Sequence, residues 1–449
     1  MSCTYNWSWV KQQVAETIDV WNAGTSPWLN SEQLYSGEQQ MENESAYDEA
    51  LLTVEEEASS GPRSGSERLQ TRDRVLAAFS RFSTAALGLE SAMNILLTED
   101  FLPVGTQLAQ WARHFDPALS MADIIQACRN AWTACGLQPL LGLPIALTPS
   151  ILGYSLLYPY SDNFLDSQTV SLREKREFSR RLRHLLLGEK PTTANLIEEA
   201  LQVLICLIES QYPRAHYPDV FASLLAIHTA QEQSIQQIST ESWRDEAHLL
   251  YLTCCKGGTS VLADACLGRG YLNEQESRFA FAWGVLLQLG DDLQDVREDL
   301  KLGSRTLFSR AAASGKPLDG LTLQLLSFSD RVAARLDALP HGSPTLKRLL
   351  KISWRSLIIR AVADSDLFFS KPFLKEAERR SPFRFAFLKE RQARLAGSQG
   401  LYSALFEALL EPSPEPGHVP RLPLSLMPLR ERIWCTRGTR TDCLRQAGA

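Results

Sequence analysis

The chain has no stretch of eighteen consecutive apolar residues, so no segment is long and greasy enough for a membrane-spanning helix. It also has no basic excess. Its 46 Lys and Arg face 52 Asp and Glu, for a net charge of -6, and no basic block stands out as a nucleic-acid footprint. Metal-type cysteine pairs are missing too. Of nine cysteines, Cys254 and Cys255 are adjacent and the rest are scattered, as in an intracellular chain whose thiols stay reduced. Met1 to Val14 shows neither the basic start nor the apolar stretch of a signal peptide, so a cytoplasmic location is expected.

Hydrophobic residues fill 44% of the 449 positions, ample for a globular interior. The most informative stretch runs from Phe279 to Asp299. Phe279 to Leu289 is an apolar run of helical periodicity without proline, and carboxylates follow at Asp291, Asp292, Asp295 and Asp299. Offsets of four residues return to one helix face, which stacks Asp291, Asp295 and Asp299 in a column with Asp292 beside it. Like charges at that spacing repel, so the column becomes favourable when a cation sits among the carboxylates. An all-oxygen site suits Mg²⁺. Taken alone, such a run is more often a solvated face. A second pair shifts the balance: Asp162 and Asp166 are again four apart, again at the end of an apolar run, Ile151 to Tyr160.

These residues together resemble the class I isoprenoid synthases, most of all the trans-polyprenyl diphosphate synthases and next the squalene and phytoene synthases. Leu287-Gln288-x-x-Asp291-Asp292-x-x-Asp295 is similar to the second aspartate-rich motif, with Leu where Phe is usual. Lys256-Gly257-Gly258-Thr259 resembles the Lys-Thr element of the preceding helix, and Gln231-Glu232-Gln233 the glutamine-bearing helix. Asp162 to Asp166 stands where the first aspartate-rich motif belongs, with a D-x-x-x-D spacing that departs from the usual one. All four follow the family's order between about Arg72 and Arg360.

The resemblance implies an all-α fold, a single large helical bundle of the isoprenoid synthase type around an apolar cavity. It implies Mg²⁺ held by Asp162, Asp166, Asp291, Asp292, Asp295 and Asp299. Catalytic roles fall to Lys256, Thr259 and Gln233, and substrate contacts to Gln288, Lys301, Arg305 and Tyr158. The family sets arginine close behind its first motif, which makes Arg173, Arg180 and Arg181 candidates for diphosphate. The competing reading of these arginines is a solvated basic face balancing Glu174 and Glu177, and the same choice applies to Arg129. Tyr158 and Tyr160 either resemble the bulky floor that limits product length or simply pack in the core. Gly257 and Gly258 inside a helix cost around 1 kcal/mol each, which calls for close approach of a neighbouring helix or a ligand.

Residues 1–65 read as an N-terminal extension, partly disordered, with a helix over Tyr5 to Trp21 that docks on the main body. Residues 66–400 read as the helical domain and residues 411–449 as a loose Pro- and Arg-rich tail. The activity implied is ionisation of an allylic prenyl diphosphate and its condensation with isopentenyl diphosphate into a longer trans-prenyl diphosphate. The alternatives are a terpene cyclase or head-to-head synthase, and, from another class, a non-catalytic helical subunit of a heteromeric synthase. Prenyl diphosphates are the implied partners. A homodimer and a transient membrane-surface contact through Phe383 to Arg391 are compatible with the sequence.

Overall fold

The computed structural model of the protein describes residues 4–24, 34–60, 65–89, 93, 96–167, 169–234 and 245–397. All regular structure among them is helical, as the sequence leads one to expect. The N-terminal third holds α1 (Trp7–Asn22), α2 (Gly37–Ser59), α3 (Gly65–Leu87), a π-helical turn (Leu96–Phe101), α4 (Leu102–Phe115) and α5 (Met121–Leu140). The middle holds α6 (Pro149–Asp166), α7 (Leu172–Leu186), α8 (Leu196–Gln211), α9 (Pro218–Ser234), α10 (Glu246–Arg269) and α11 (Glu274–Gln294). Then come α12 (Val296–Leu302), α13 (Leu307–Ala313), α14 (Asp319–Ala338), α15 (Pro344–Asp364), α16 (Lys371–Glu378) and α17 (Phe385–Gly397).

Local chemistry starts and stops these helices. Ser36, Ser120, Ser171 and Asn273 close capping boxes with Gln39, Asp123, Glu174 and Glu276. Thr148 caps α6, with Pro149 at its first position, and the helix continues through Pro159. Gly270, at φ 88°, ends α10 in the left-handed conformation.

The molecule is built on α10. Its Leu250, Cys254, Val261 and Ala265 belong to one buried core with α1, α11, α14 and α15. Its Leu262, Ala263, Cys266 and Leu267 belong to a second core with α5, α6, α8 and α9. A helix apolar on every side is buried on every side. Gly257 and Gly258 make its seam with α11. A Cβ on Gly257 would stand 2.5 Å from the Gly284 carbonyl oxygen, and one on Gly258 would run into the Phe281 ring. Of the two explanations open in the sequence, the neighbouring helix is therefore the one the structure supplies.

That seam, and the contacts at either end of α10, set directions. Thr253, near the start of α10, bonds to Asp292 at the end of α11. Ser150, at the start of α6, donates to the Leu267 carbonyl near the end of α10 at 2.8 Å. Both α6 and α11 thus run antiparallel to α10, and both carry their carboxylate-bearing ends to the same end of the bundle.

The first 65 residues differ from expectation. Docking of α1 is as read: Val10, Val14 and Trp21 are buried. Residues 37–59, however, are a helix rather than part of a loose extension. Glu44 pairs with Arg384, Asp48 with Arg391, Glu55 with Arg394 and Glu57 with Arg74. Tyr47 sits edge-on to Phe82, Phe383 and Phe387, so those phenylalanines are packed against α2. Among the described residues no helix is long and apolar enough to cross a membrane. The expected tail, 411–449, lies outside the described residues.

Candidate functional site: an acid-lined cavity

At the shared end of α10 and α11 lies a cavity of about 120 Å³. From α10 it receives Thr253 and Lys256, and from α11 Gln288, Asp291 and Asp292. Asp295, Asp299, Ser304 and Thr306 close it from the joint, α12 and the turn that follows. Although α11 ends at Gln294, the amides of Asp295 and Asp299 still donate to the carbonyls of Asp291 and Asp295, both at 2.9 Å. The column read from the spacing therefore survives the joint.

Asp292 is buried and held through both oxygens. Gln288 Nε2 donates to Oδ1 at 2.9 Å and Thr253 Oγ1 to Oδ2 at 3.0 Å. Burial nonetheless pushes its carboxyl up to about 7, and the Asp291 charge adds to the rise. Burial also lifts Asp299 to about 6, with Asp295 and Asp291 contributing and the hydroxyls of Ser304 and Thr306 opposing. Asp295 is raised by burial, then by Asp291 and Glu298, while Arg129 and Lys256 pull it back. The shared cause is partial desolvation of crowded like charges, which a hard cation would relieve, and an all-oxygen donor set suits one. As the side chains stand, no three His, Cys, Asp or Glu among the described residues form a ready chelating group. The carboxylates line the cavity rather than encircle a point in it.

The first acidic pair reaches this end of the bundle on α6. Asp162 is half-buried, and its charge is felt by the buried Tyr154 about two turns earlier on the same helix. Its neighbour Asn163 donates to Asp123 at 2.7 Å, at the start of α5. The side chains of Tyr158 and Asp166 lie outside the described residues. Tyr160 is a packing residue, donating to Asp116 at 2.6 Å and lying edge-on to Phe115.

Several expected site residues are elsewhere. Thr259 is fully buried and donates to the Cys255 carbonyl of its own helix at 2.6 Å, so its hydroxyl faces the helix backbone and not the cavity. Arg181 is bound to Glu198 at 2.7 Å, and Arg173 pairs with Glu177 at 3.0 Å one turn along. Arg180 and Lys301 are exposed, and neither they nor Arg305 line the cavity. Gln231, rather than Gln233, lines a recess between α6, α7 and α9. There Ser179 donates to Glu232 at 2.6 Å, and contact with His228, Ser179 and Arg183 holds Glu232 down to about 2. That recess is mostly apolar but only about 40 Å³, room for roughly one water. A large apolar cavity is not formed there.

Reading the sequence missed Thr253, Ser304 and Thr306. Thr253 was findable, since it precedes Lys256 by three and shares its helix face. Asp264 was also missed. Two turns beyond Lys256, it is buried with Oδ1 unpartnered, and burial raises its carboxyl well above the usual range. A lone aspartate inside the apolar run Val261 to Leu267 was the signal.

Fold and site together define an all-α protein with an acid-lined cavity where its two central helices meet. The chain matches no family model, no curated protein and no solved structure.

Proposed function

We propose that the chain is a class I isoprenoid synthase that ionises an allylic prenyl diphosphate and condenses it with isopentenyl diphosphate. The observation that carries this reading is the gathering of Asp291, Asp292, Asp295 and Asp299 with Lys256 and Gln288 around one cavity. Mg²⁺ would be held by Asp291 and Asp295, with Asp299 and the Asp162 end of α6 as further donors, and when bound it neutralises a diphosphate leaving group. Lys256 brings fixed positive charge to the same cavity. Arg129 is the arginine whose field reaches Asp295. Lys256, in place of the paired Arg173 and Arg181, is the cation that would meet phosphate oxygens. Gln288 and Thr253 orient Asp292. A prenyl chain entering beside Tyr154 has to widen the recess there, and the apolar side chains around it then exclude water from the cation. Prenyl diphosphates are the partners, in the cytoplasm, with the chain alone or as a homodimer.

The narrowness of that recess favours one second reading, a non-catalytic helical subunit of a heteromeric synthase. Purified protein with Mg²⁺, farnesyl diphosphate and isopentenyl diphosphate, together and separately, tests both. A longer prenyl diphosphate formed only from the pair is the expected result. Hydrocarbon from the farnesyl compound alone moves the assignment to cyclisation or head-to-head coupling, and no turnover in any mixture overturns the enzyme.

A further inference from the structure

Helix α7 turns Phe178, Leu182 and Leu185 into the bundle. Its outward face stands apart in a chain of net charge -6. The helix carries six Lys and Arg against Glu174 and Glu177. Glu198 on α8 and Glu232 on α9 pair with Arg181 and Arg183. Six cations thus meet four carboxylates, and two positive charges are left over. That surplus stands outward. Arg176 and Arg180 are exposed, one turn apart, and have no carboxylate within ion-pair distance among the described residues. Leu172 and Leu187 flank them, 68% and 52% exposed. Helical spacing from Leu172 brings Arg176, Arg180 and Leu187 onto one face. The two leucines are roughly 22 Å apart along the helix axis. A protein interface gathers its apolar anchors at its centre. A bilayer accepts each one separately, because its headgroup boundary is apolar along its whole extent.

We propose that the outward face of α7 docks the protein on an anionic lipid bilayer, Leu172 and Leu187 entering the headgroup boundary and Lys175, Arg176 and Arg180 meeting lipid phosphates. Charge complementarity names the occupant: the surplus cations are drawn to a surface of net negative charge, and a zwitterionic one offers them no such field. Phe383 to Arg391 is a different face, and its phenylalanines are packed against α2. The contact stands whatever reaction the acidic cavity performs.

Co-sedimentation of the full chain with vesicles tests it. The wild type binds phosphatidylcholine vesicles holding about a third phosphatidylglycerol at least about tenfold more strongly than phosphatidylcholine alone. Raising salt from about 0.1 M to about 0.5 M removes most of that preference. Arg176→Gln with Arg180→Gln weakens binding by about tenfold or more. Leu172→Ser with Leu187→Ser weakens it several-fold. Lys316→Gln with Lys371→Gln removes the same charge at exposed positions elsewhere and changes binding by no more than about twofold. Circular dichroism checks that each variant folds. No binding of the wild type, equal binding to both kinds of vesicle, full binding of the arginine or the leucine variant, or an equal loss in the lysine control each overturns the contact. Capture by immobilised polyglutamate without binding to vesicles overturns it in favour of an acidic protein partner.

Discussion

On α2, four carboxylates each meet an arginine: Glu44 with Arg384, Asp48 with Arg391, Glu55 with Arg394 and Glu57 with Arg74. On α11 and α12, Asp291, Asp292, Asp295 and Asp299 meet one another, and among the described residues none has a lysine, arginine or histidine within ion-pair distance. Both regions are helical runs rich in carboxylates, and in sequence they look alike. The first group fastens α2 to α17 and α3, so its charges are about packing. The second holds three carboxyls above their usual range, opposed by hydroxyl and amide hydrogen bonds and by the charges of Lys256 and Arg129. Such a cluster is what the proposed cation site would need, since a bound cation would relieve the crowding.

Asp291→Ala sharpens this contrast most. It is expected to lower turnover by about a thousandfold with an unchanged circular dichroism spectrum. Arg391→Ala should leave turnover as it is. Equal activity in wild type and Asp291→Ala would remove the functional half of the comparison.

The pH dependence of stability comes next. Asp292 binds its proton more tightly folded than unfolded, so without metal its contribution is fully present below about pH 4 and is lost as pH rises towards 7. The shift from 3.8 to about 7 sets an upper limit of about 4 kcal/mol on that loss. Asp299 adds in the same direction between about pH 4 and 6. In EDTA, the melting temperature of wild type should fall from pH 5 to pH 8 more steeply than that of Asp292→Asn. Parallel falls would show that the cavity imposes no such cost.

Divalent cation should reverse that cost. At a hundredfold excess over its dissociation constant, Mg²⁺ stabilises by about 2.7 kcal/mol, read as a rise in melting temperature at pH 8. The double variant Asp291→Ala, Asp295→Ala should show no rise, and an equal rise there would place the ion elsewhere. Smallest is the effect at the clasp. Arg391→Ala should lower the melting temperature by about 2 °C, and less in high salt, because the partner Asp48 is partly open to solvent. A salt-independent loss would mean that packing on Phe387, not charge, is what Arg391 supplies there.

Most helices were legible because their signal is local. Phe279 to Leu289 carries its periodicity in adjacent residues, and Ser120 with Asp123 writes a helix start in four. The aspartate column was legible for the same reason, since four residues along a helix fix a face. Helix α2 was not. Its acids look solvated until Arg384, Arg391 and Arg394, over three hundred residues away, are folded against them. Thr259 and Arg181 were assigned to chemistry by position in a pattern, whereas the atoms that occupy them belong to the Cys255 backbone and to Glu198 on another helix.

Helix content and the acidic face of α11 were settled by residues within two helical turns of each other. Which neighbour Gly257 admits, which arginines are already spent, and that Asp162 and Asp291 share one end of the bundle were settled only when α6, α10 and α11 packed antiparallel. Spacing along a helix determines the face on which a side chain stands. What stands opposite depends on segments far along the chain, which no local pattern encodes.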